Sequence, residues 1–177
     1  MLITISGLPG SGTTTMSRLV AEALGLDRLP GGEVFRQMAA EAGMTLAEFG
    51  RHAKDHPEHD RELDRRLLER AREGDVVIES RLAGWLATRG AVPAVRVWVS
   101  CAAEERARRV GARDAVDVAT ALADNATREA LERARYLDLY DIDLTDLSIY
   151  DLVLESTAEP PEPLAEQVVD AARARFG

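Results

Sequence analysis

Ile5-Ser6-Gly7-Leu8-Pro9-Gly10-Ser11-Gly12-Thr13-Thr14-Thr15, near the start of a 177-residue chain, decides the fold. Met1–Ser6 reads as a short apolar strand and Gly7–Gly12 as a glycine-rich turn. Thr13–Leu24 has helical spacing, with Met16, Leu19, Val20, Ala23 and Leu24 on one side. Gly7–Thr14 fits the phosphate-binding pattern G-x-x-x-x-G-K-[ST] at every defined position but one, where Thr13 replaces lysine. Glycines let successive backbone N–H groups converge on a phosphate, and the following helix turns its positive end toward the same anion. Thr14 stands where a hydroxyl would ligate Mg²⁺. The missing lysine matters, because removing one charged donor from a transition state can cost about 10²–10³ in rate.

Outward from this stretch, strand and helix patterns alternate. Asp27–Pro30 is a weak strand and Pro30-Gly31-Gly32 a break. Helices are predicted over Glu33–Ala42, from Thr45 (with a Thr45–Glu48 capping box), and over Pro57–Glu73. Asp75–Glu79 and Ala94–Ser100 are buried-strand runs, followed by helices at Glu104–Gly111 and Asp117–Tyr140. A strand at Asp151–Glu155 and a helix at Pro163–Phe176 close the chain. The alternation predicts one α/β domain with a parallel sheet and no repeat or linker.

The composition narrows the function classes. The net charge is −9, and residues 136–170 carry ten acids with no Lys or Arg, which leaves +1 for the rest. A local cationic site is therefore possible, while a general nucleic-acid groove is not expected. No stretch approaches the ~20 apolar residues of a membrane span, and no signal peptide is recognisable, so a soluble cytoplasmic protein is expected. Cys101 is the single cysteine and reads as a small buried hydrophobe.

Lys54 is the only lysine beside 21 arginines, so cationic chemistry falls to arginine. Arg106, Arg109 and Arg113 share one predicted helix face, as do Arg128, Glu132 and Arg135. The two faces flank a segment that suits a hinged lid closing on phosphates. The same segments also contain i,i+4 pairs such as Glu105–Arg109 and Arg128–Glu132, which read equally as solvated helix faces. Arg36 begins a helix and Arg81 follows a strand end, where α/β proteins place ligands, so both suit a second phosphate.

Five blocks carry a family resemblance. They are the loop Ile5–Thr15, Gly32-Glu33-Val34-Phe35-Arg36, Glu79-Ser80-Arg81-Leu82-Ala83-Gly84-Trp85, the Arg128–Tyr136 segment R-E-x-x-E-x-x-R-Y, and Tyr140–Leu152. In this order, over nearly the whole chain, they resemble the archaeal-type cytidylate kinases, a branch of the nucleoside monophosphate kinases in which Thr also occurs at the loop lysine position. Leu131 and Pro30 depart from the usual family residues.

The resemblance implies a three-layer P-loop NTPase sandwich with a parallel five-stranded sheet. It implies inserted segments for the acceptor (about 32–73) and a lid (about 111–135), all in one domain, 1–177. It further implies ATP·Mg²⁺ as donor, CMP or dCMP as acceptor, and a monomer binding small nucleotides, without nucleic acid or membrane. The loop Gly7, Leu8, Pro9, Gly10, Ser11, Gly12, Thr13, Thr14 and Thr15 would bind ATP, with Thr14 on the metal. Arg36, Arg81, Gly84 and Glu132 would bind the acceptor, Glu132 accepting from the exocyclic amine of cytosine. Arg109, Arg113, Arg128 and Arg135 would close on the transferred group. The competing readings are a P-loop kinase for another or modified nucleotide or small acceptor, and a nucleotide-binding protein whose catalysis is lost.

Other features are set aside. His52, His56 and His59 read as a solvated loop interrupted by Pro57. Asp143 and Asp146 suit either Mg²⁺ or an acidic surface. Trp85 and Trp98 read as core.

Overall fold

The computed structural model describes the backbone of residues 1–177 and every side chain except those of Leu46, Ala47 and Lys54. Five strands, β1 (Leu2–Gly7), β2 (Asp27–Pro30), β3 (Val76–Glu79), β4 (Val95–Ser100) and β5 (Leu152–Glu155), pair in parallel in the order β2-β3-β1-β4-β5. The helices are α1 (Thr13–Leu24), α2 (Gly31–Glu41), α3 (Leu46–Lys54), α4 (Glu58–Glu73), α5 (Ala83–Arg89), α6 (Ala103–Asp114), α7 (Val118–Tyr140) and α8 (Pro161–Phe176). None is long and apolar enough to cross a membrane among the described residues.

The sheet is buried on both faces, which explains its unbroken apolar runs. On one side Ile3, Ile5, Val77, Val95, Val97 and Val99 pack with Met16 and Val20 of α1 and with Leu164 and Val168 of α8. On the other, Leu2, Val76 and Ile78 pack with Val34 and Met38 of α2, Phe49 of α3, Leu67 of α4 and Ala87 of α5. These are the three expected layers. β1 lies at the centre, so its loop emerges at the middle of the sheet's C-terminal edge, between the ends of β3 and β4.

Three local expectations change. Pro30-Gly31-Gly32 is no break: Pro30 closes β2 and both glycines lie in α2, so strand passes directly into helix. The last helix begins at Pro161 rather than Pro163, because proline is tolerated in a first turn. The seven-residue α5 was not predicted, being too short to show a period. The capping box forms as read: Thr45 N donates to Glu48 at 2.8 Å, and Glu48 N to Thr45 Oγ1 at 3.3 Å.

Candidate active site

The loop between β1 and α1 is fastened from outside by three guanidinium groups on alternate carbonyls. Arg81 donates to the Gly7 carbonyl. Arg106 donates to that of Pro9 at 3.3 Å, and Arg109 to that of Ser11 at 3.5 Å. Gly10 has φ +83°, and a Cβ there would stand 2.6 Å from the Arg106 carbonyl, so the close approach of α6 requires glycine. The loop is thus braced by three guanidinium groups, each paired with a glutamate, although it has no lysine.

Thr13 and Thr14 turn toward Glu79, the last residue of β3. Their hydroxyls donate to Glu79 Oε1 at 3.0 and 2.7 Å. Ser17 donates to Oε2 at 3.0 Å, and Arg28 of β2 donates to Oε2 at 3.2 Å and to Ser17 Oγ at 2.8 Å. A carboxylate at a strand end beside the loop threonines offers hard oxygen donors of the kind Mg²⁺ takes. Sequence reasoning gave Glu79 and Arg28 no role. The only signal was a charged residue closing the apolar run Val76-Val77-Ile78.

Beyond the loop, Glu132 of α7 bridges two arginines. Arg81 Nε donates to one of its oxygens at 2.7 Å and Arg128 Nε to the other at 2.8 Å. Burial raises the Glu132 carboxyl, but Arg81 and then Arg128 outweigh it and hold the group below the usual range. Glu132 therefore fixes two guanidinium groups beside the loop. Each of its oxygens accepts one guanidinium N–H and keeps a further lone pair.

The two predicted arginine faces divide. Arg106 is buried against the Cys101 carbonyl at 3.0 Å and pairs with Glu129 of α7. Arg109 reaches the Ser156 carbonyl at 2.6 Å and pairs with Glu105 at 2.8 Å. Arg113 is exposed and pairs with Asp114 at 2.7 Å. Arg135 faces Asp60 of α4 at 3.6 Å and lies over the Tyr136 ring. Arg36 is exposed on α2 with its guanidinium beside Gly32. Gly84 lies under Tyr150, where a Cβ would come within 2.5 Å of the ring, and its N–H donates to Ser6 Oγ at 3.4 Å.

A cavity of about 500 Å³ opens beside the loop, lined by Gly12, Thr15, Arg109, Ser156, Thr157 and Pro161 among others. It has the size and mixed polarity of a nucleoside site. The histidines correct another expectation: rather than forming a solvated loop, His52 Nδ1 and His59 Nε2 approach to 3.1 Å, and the His52 and His56 rings stack at 3.9 Å. No metal-holding group of three ligands occurs among the described residues. Trp98 is core; Trp85 is half-buried, with Arg89 over its ring. Cys101 is half-buried.

A central strand running into a phosphate loop, with arginines beyond the neighbouring strand ends, defines a P-loop kinase fold. Solved structures share it: a shikimate kinase from Acinetobacter baumannii (TM-score 0.64, 17 % identity, 99 % of this chain and 94 % of that one), and a gluconokinase from Sinorhizobium meliloti (TM-score 0.62, 16 % identity, 98 % and 92 %). Sequence places the chain within that class. A profile of the cytidylate kinase-like family matches residues 2–158, and the chain belongs to that family. The cytidylate kinase of Pyrococcus horikoshii is 49 % identical over 162 residues, covering 92 % of this chain and 83 % of that protein. The cytidylate kinase of Methanocaldococcus jannaschii is 46 % identical over 158 residues, covering 89 % of each.

Proposed function

We propose that the protein transfers the γ-phosphoryl group of ATP to CMP or dCMP, giving ADP and the pyrimidine nucleoside diphosphate. The observation that carries this reading within the family is Arg81. One guanidinium touches the phosphate loop at Gly7 and is held by Glu132 of α7, so it stands between a donor phosphate on the loop and an acceptor phosphate beyond it.

Backbone N–H groups of Gly7–Thr15 bind the donor phosphates, and the cavity at Ser156–Pro161 takes the donor nucleoside. Thr14 Oγ1 and the Glu79 carboxylate, 2.7 Å apart, fit Mg²⁺. When bound there, Mg²⁺ would neutralise charge on the phosphates. Residues 32–73 form the acceptor-binding part, with Arg36 and Arg81 on the acceptor phosphate and Gly84 packing beneath it. Residues 111–135 form the lid, whose Arg128 joins Arg109 on the transferred group, with Arg113 at the far end of α6.

An acceptor phosphate oxygen attacks the γ-phosphorus in line as the bond to the β,γ-bridging oxygen breaks. The nucleophile is already anionic, so no general base is required; alignment and guanidinium charge supply the catalysis. We place this activity in the cytoplasm, in a monomer.

The test is ADP formation from ATP and Mg²⁺ with CMP, dCMP, UMP, AMP and GMP in turn. Turnover led by CMP or dCMP is expected. Fast turnover of another monophosphate would change the acceptor, and ATP binding without any turnover would overturn the reading.

A further inference from the structure

The Glu79 carboxylate divides its two oxygens. Oε1 takes the loop hydroxyls of Thr13 and Thr14 at 3.0 and 2.7 Å. Oε2 takes Ser17 of α1 at 3.0 Å and Arg28 of β2 at 3.2 Å. Arg28 Nε also donates to Ser17 Oγ at 2.8 Å, so one guanidinium spans the carboxylate and the hydroxyl beside it. Among the described residues Arg28 is the salt-bridge partner of Glu79, and the two side chains are only 27 % and 14 % exposed. A pair this sheltered is screened less than a surface pair.

The sheet explains how Arg28 arrives there. β2 is an outer strand, and its register sets Arg28 beside Val77 and Pro30 beside Glu79. Residues two apart on a strand share a face, so Arg28 lies on the face of Val77 and Glu79. Val77 packs under Met16 and Val20 of α1. Arg28 therefore runs beneath α1 and meets Glu79 from the side opposite the loop threonines.

We propose that Arg28 is a positioning residue for the metal side of phosphotransfer. It pins Glu79 Oε2 so that Oε1 stays turned to Thr14, and it sets how strongly that oxygen draws a divalent cation. This rests on the phosphotransfer reading and gives a residue of β2 a part in its metal site. The last torsion of a glutamate is broad and two-fold, so its oxygens are interchangeable unless a directional partner tells them apart. The Arg28 and Ser17 donors do so. A group that bonds a ligating carboxylate from behind orients it and tunes it. The guanidinium stays charged at every working pH and repels a second cation at the same carboxylate. Arg28 thus gives up metal affinity for a fixed oxygen.

The two effects separate by experiment. Electron paramagnetic resonance of free Mn²⁺ measures the metal affinity of the protein with β,γ-methylene ATP bound, and a coupled assay gives kcat for CMP at saturating Mg²⁺. Circular dichroism checks folding. Arg28→Met keeps the apolar stem and removes the charge. It should bind Mn²⁺ about threefold tighter or more, because a like charge is gone. Its kcat should nevertheless fall about 10–100-fold, the range for losing an outer partner of a metal ligand. Arg28→Lys keeps the charge without the fork, so Mn²⁺ affinity should stay near the wild type while kcat falls part way. Unchanged or weaker Mn²⁺ binding in Arg28→Met, an unchanged kcat, or a lysine variant that matches it in Mn²⁺ affinity would overturn the inference. Wild-type turnover of CMP with no effect of either variant would overturn it and leave the phosphotransfer reading standing. The metal readout needs no turnover: tighter Mn²⁺ binding in Arg28→Met, in a protein that phosphorylates no monophosphate, would keep Arg28 on the metal site and overturn the phosphotransfer reading.

Discussion

Thr13→Lys tests whether arginine has taken over the charge of the loop lysine. The Thr13 hydroxyl lies 3.0 Å from Glu79 Oε1. A lysine grown from this position carries its ammonium past a carboxylate that already accepts from Thr14, Ser17 and Arg28. Two unit charges 4 Å apart near a protein surface attract by about 4 kcal/mol. A phosphate at the same distance exerts a comparable pull, so the ammonium divides its charge between Glu79 and the phosphate, while Arg81, Arg106 and Arg109 already surround the loop. We expect kcat at saturating ATP and CMP to stay within about tenfold of the wild type, or ~1.4 kcal/mol of barrier, in either direction. A coupled assay of ADP release measures it. A rise of several hundredfold, the scale of about 10²–10³ for restoring a missing transition-state donor, would refute the reasoning.

Glu79→Gln should lower kcat by about 10²-fold and raise the Mg²⁺ concentration needed for half-maximal rate, since a neutral amide is a poor ligand for a hard cation; a magnesium titration of the rate decides it. Glu132→Gln should raise KM for CMP and lower kcat/KM by about 10–100-fold, the scale of one charge-assisted bond, with the helical circular-dichroism signal retained. In Gly84→Ala the new Cβ meets the Tyr150 ring at 2.5 Å; overpacking of this kind costs about 1–3 kcal/mol, so thermal unfolding should drop by roughly 2–12 °C. Asp64→Asn addresses pH. Burial pushes the folded-state carboxyl from 3.8 up to about 6, so the stability it contributes is complete below pH 3.8 and is lost as pH rises through 6. The loss amounts to about 3 kcal/mol at 1.36 kcal/mol per pKa unit. The Tm of Asp64→Asn relative to the wild type should therefore climb between pH 4 and 7, and a constant difference would contradict the assignment.

The sheet and loop were legible because the chain changes period sharply at Gly7 and again at Thr13. The strand order was not legible from pattern, since Val76–Ile78 and Val95–Val99 are equally apolar. Candidate site residues were legible where they fall inside a sequence block, as Arg36 and Arg81 do. Glu79 stood in such a block too, but its role depends on Thr13 and Thr14, more than 60 residues away, and on Arg28 of β2. Asp60 and Asp64 lie in the charged run His59–Arg66, which reads as a solvated face. Their burial comes from long-range packing that also brings Arg135 to Asp60. Arg106 looked equivalent to Arg109 and Arg113, yet only Arg106 turns fully inward, where α6 crosses the loop at Gly10.

Arg106 has a thermodynamic consequence. One buried guanidinium bonds the Pro9 carbonyl of the phosphate loop and Glu129 of α7 together. It cannot follow α7 outward and keep its hold on the loop. Any shift of α7 would therefore be felt at the loop, and any change of loop geometry at α7. By reciprocity, whatever free energy a donor nucleotide spends in favouring one position of α7, that position returns as affinity for the donor. The two nucleotides would then bind as linked rather than independent ligands, coupled through a single side chain.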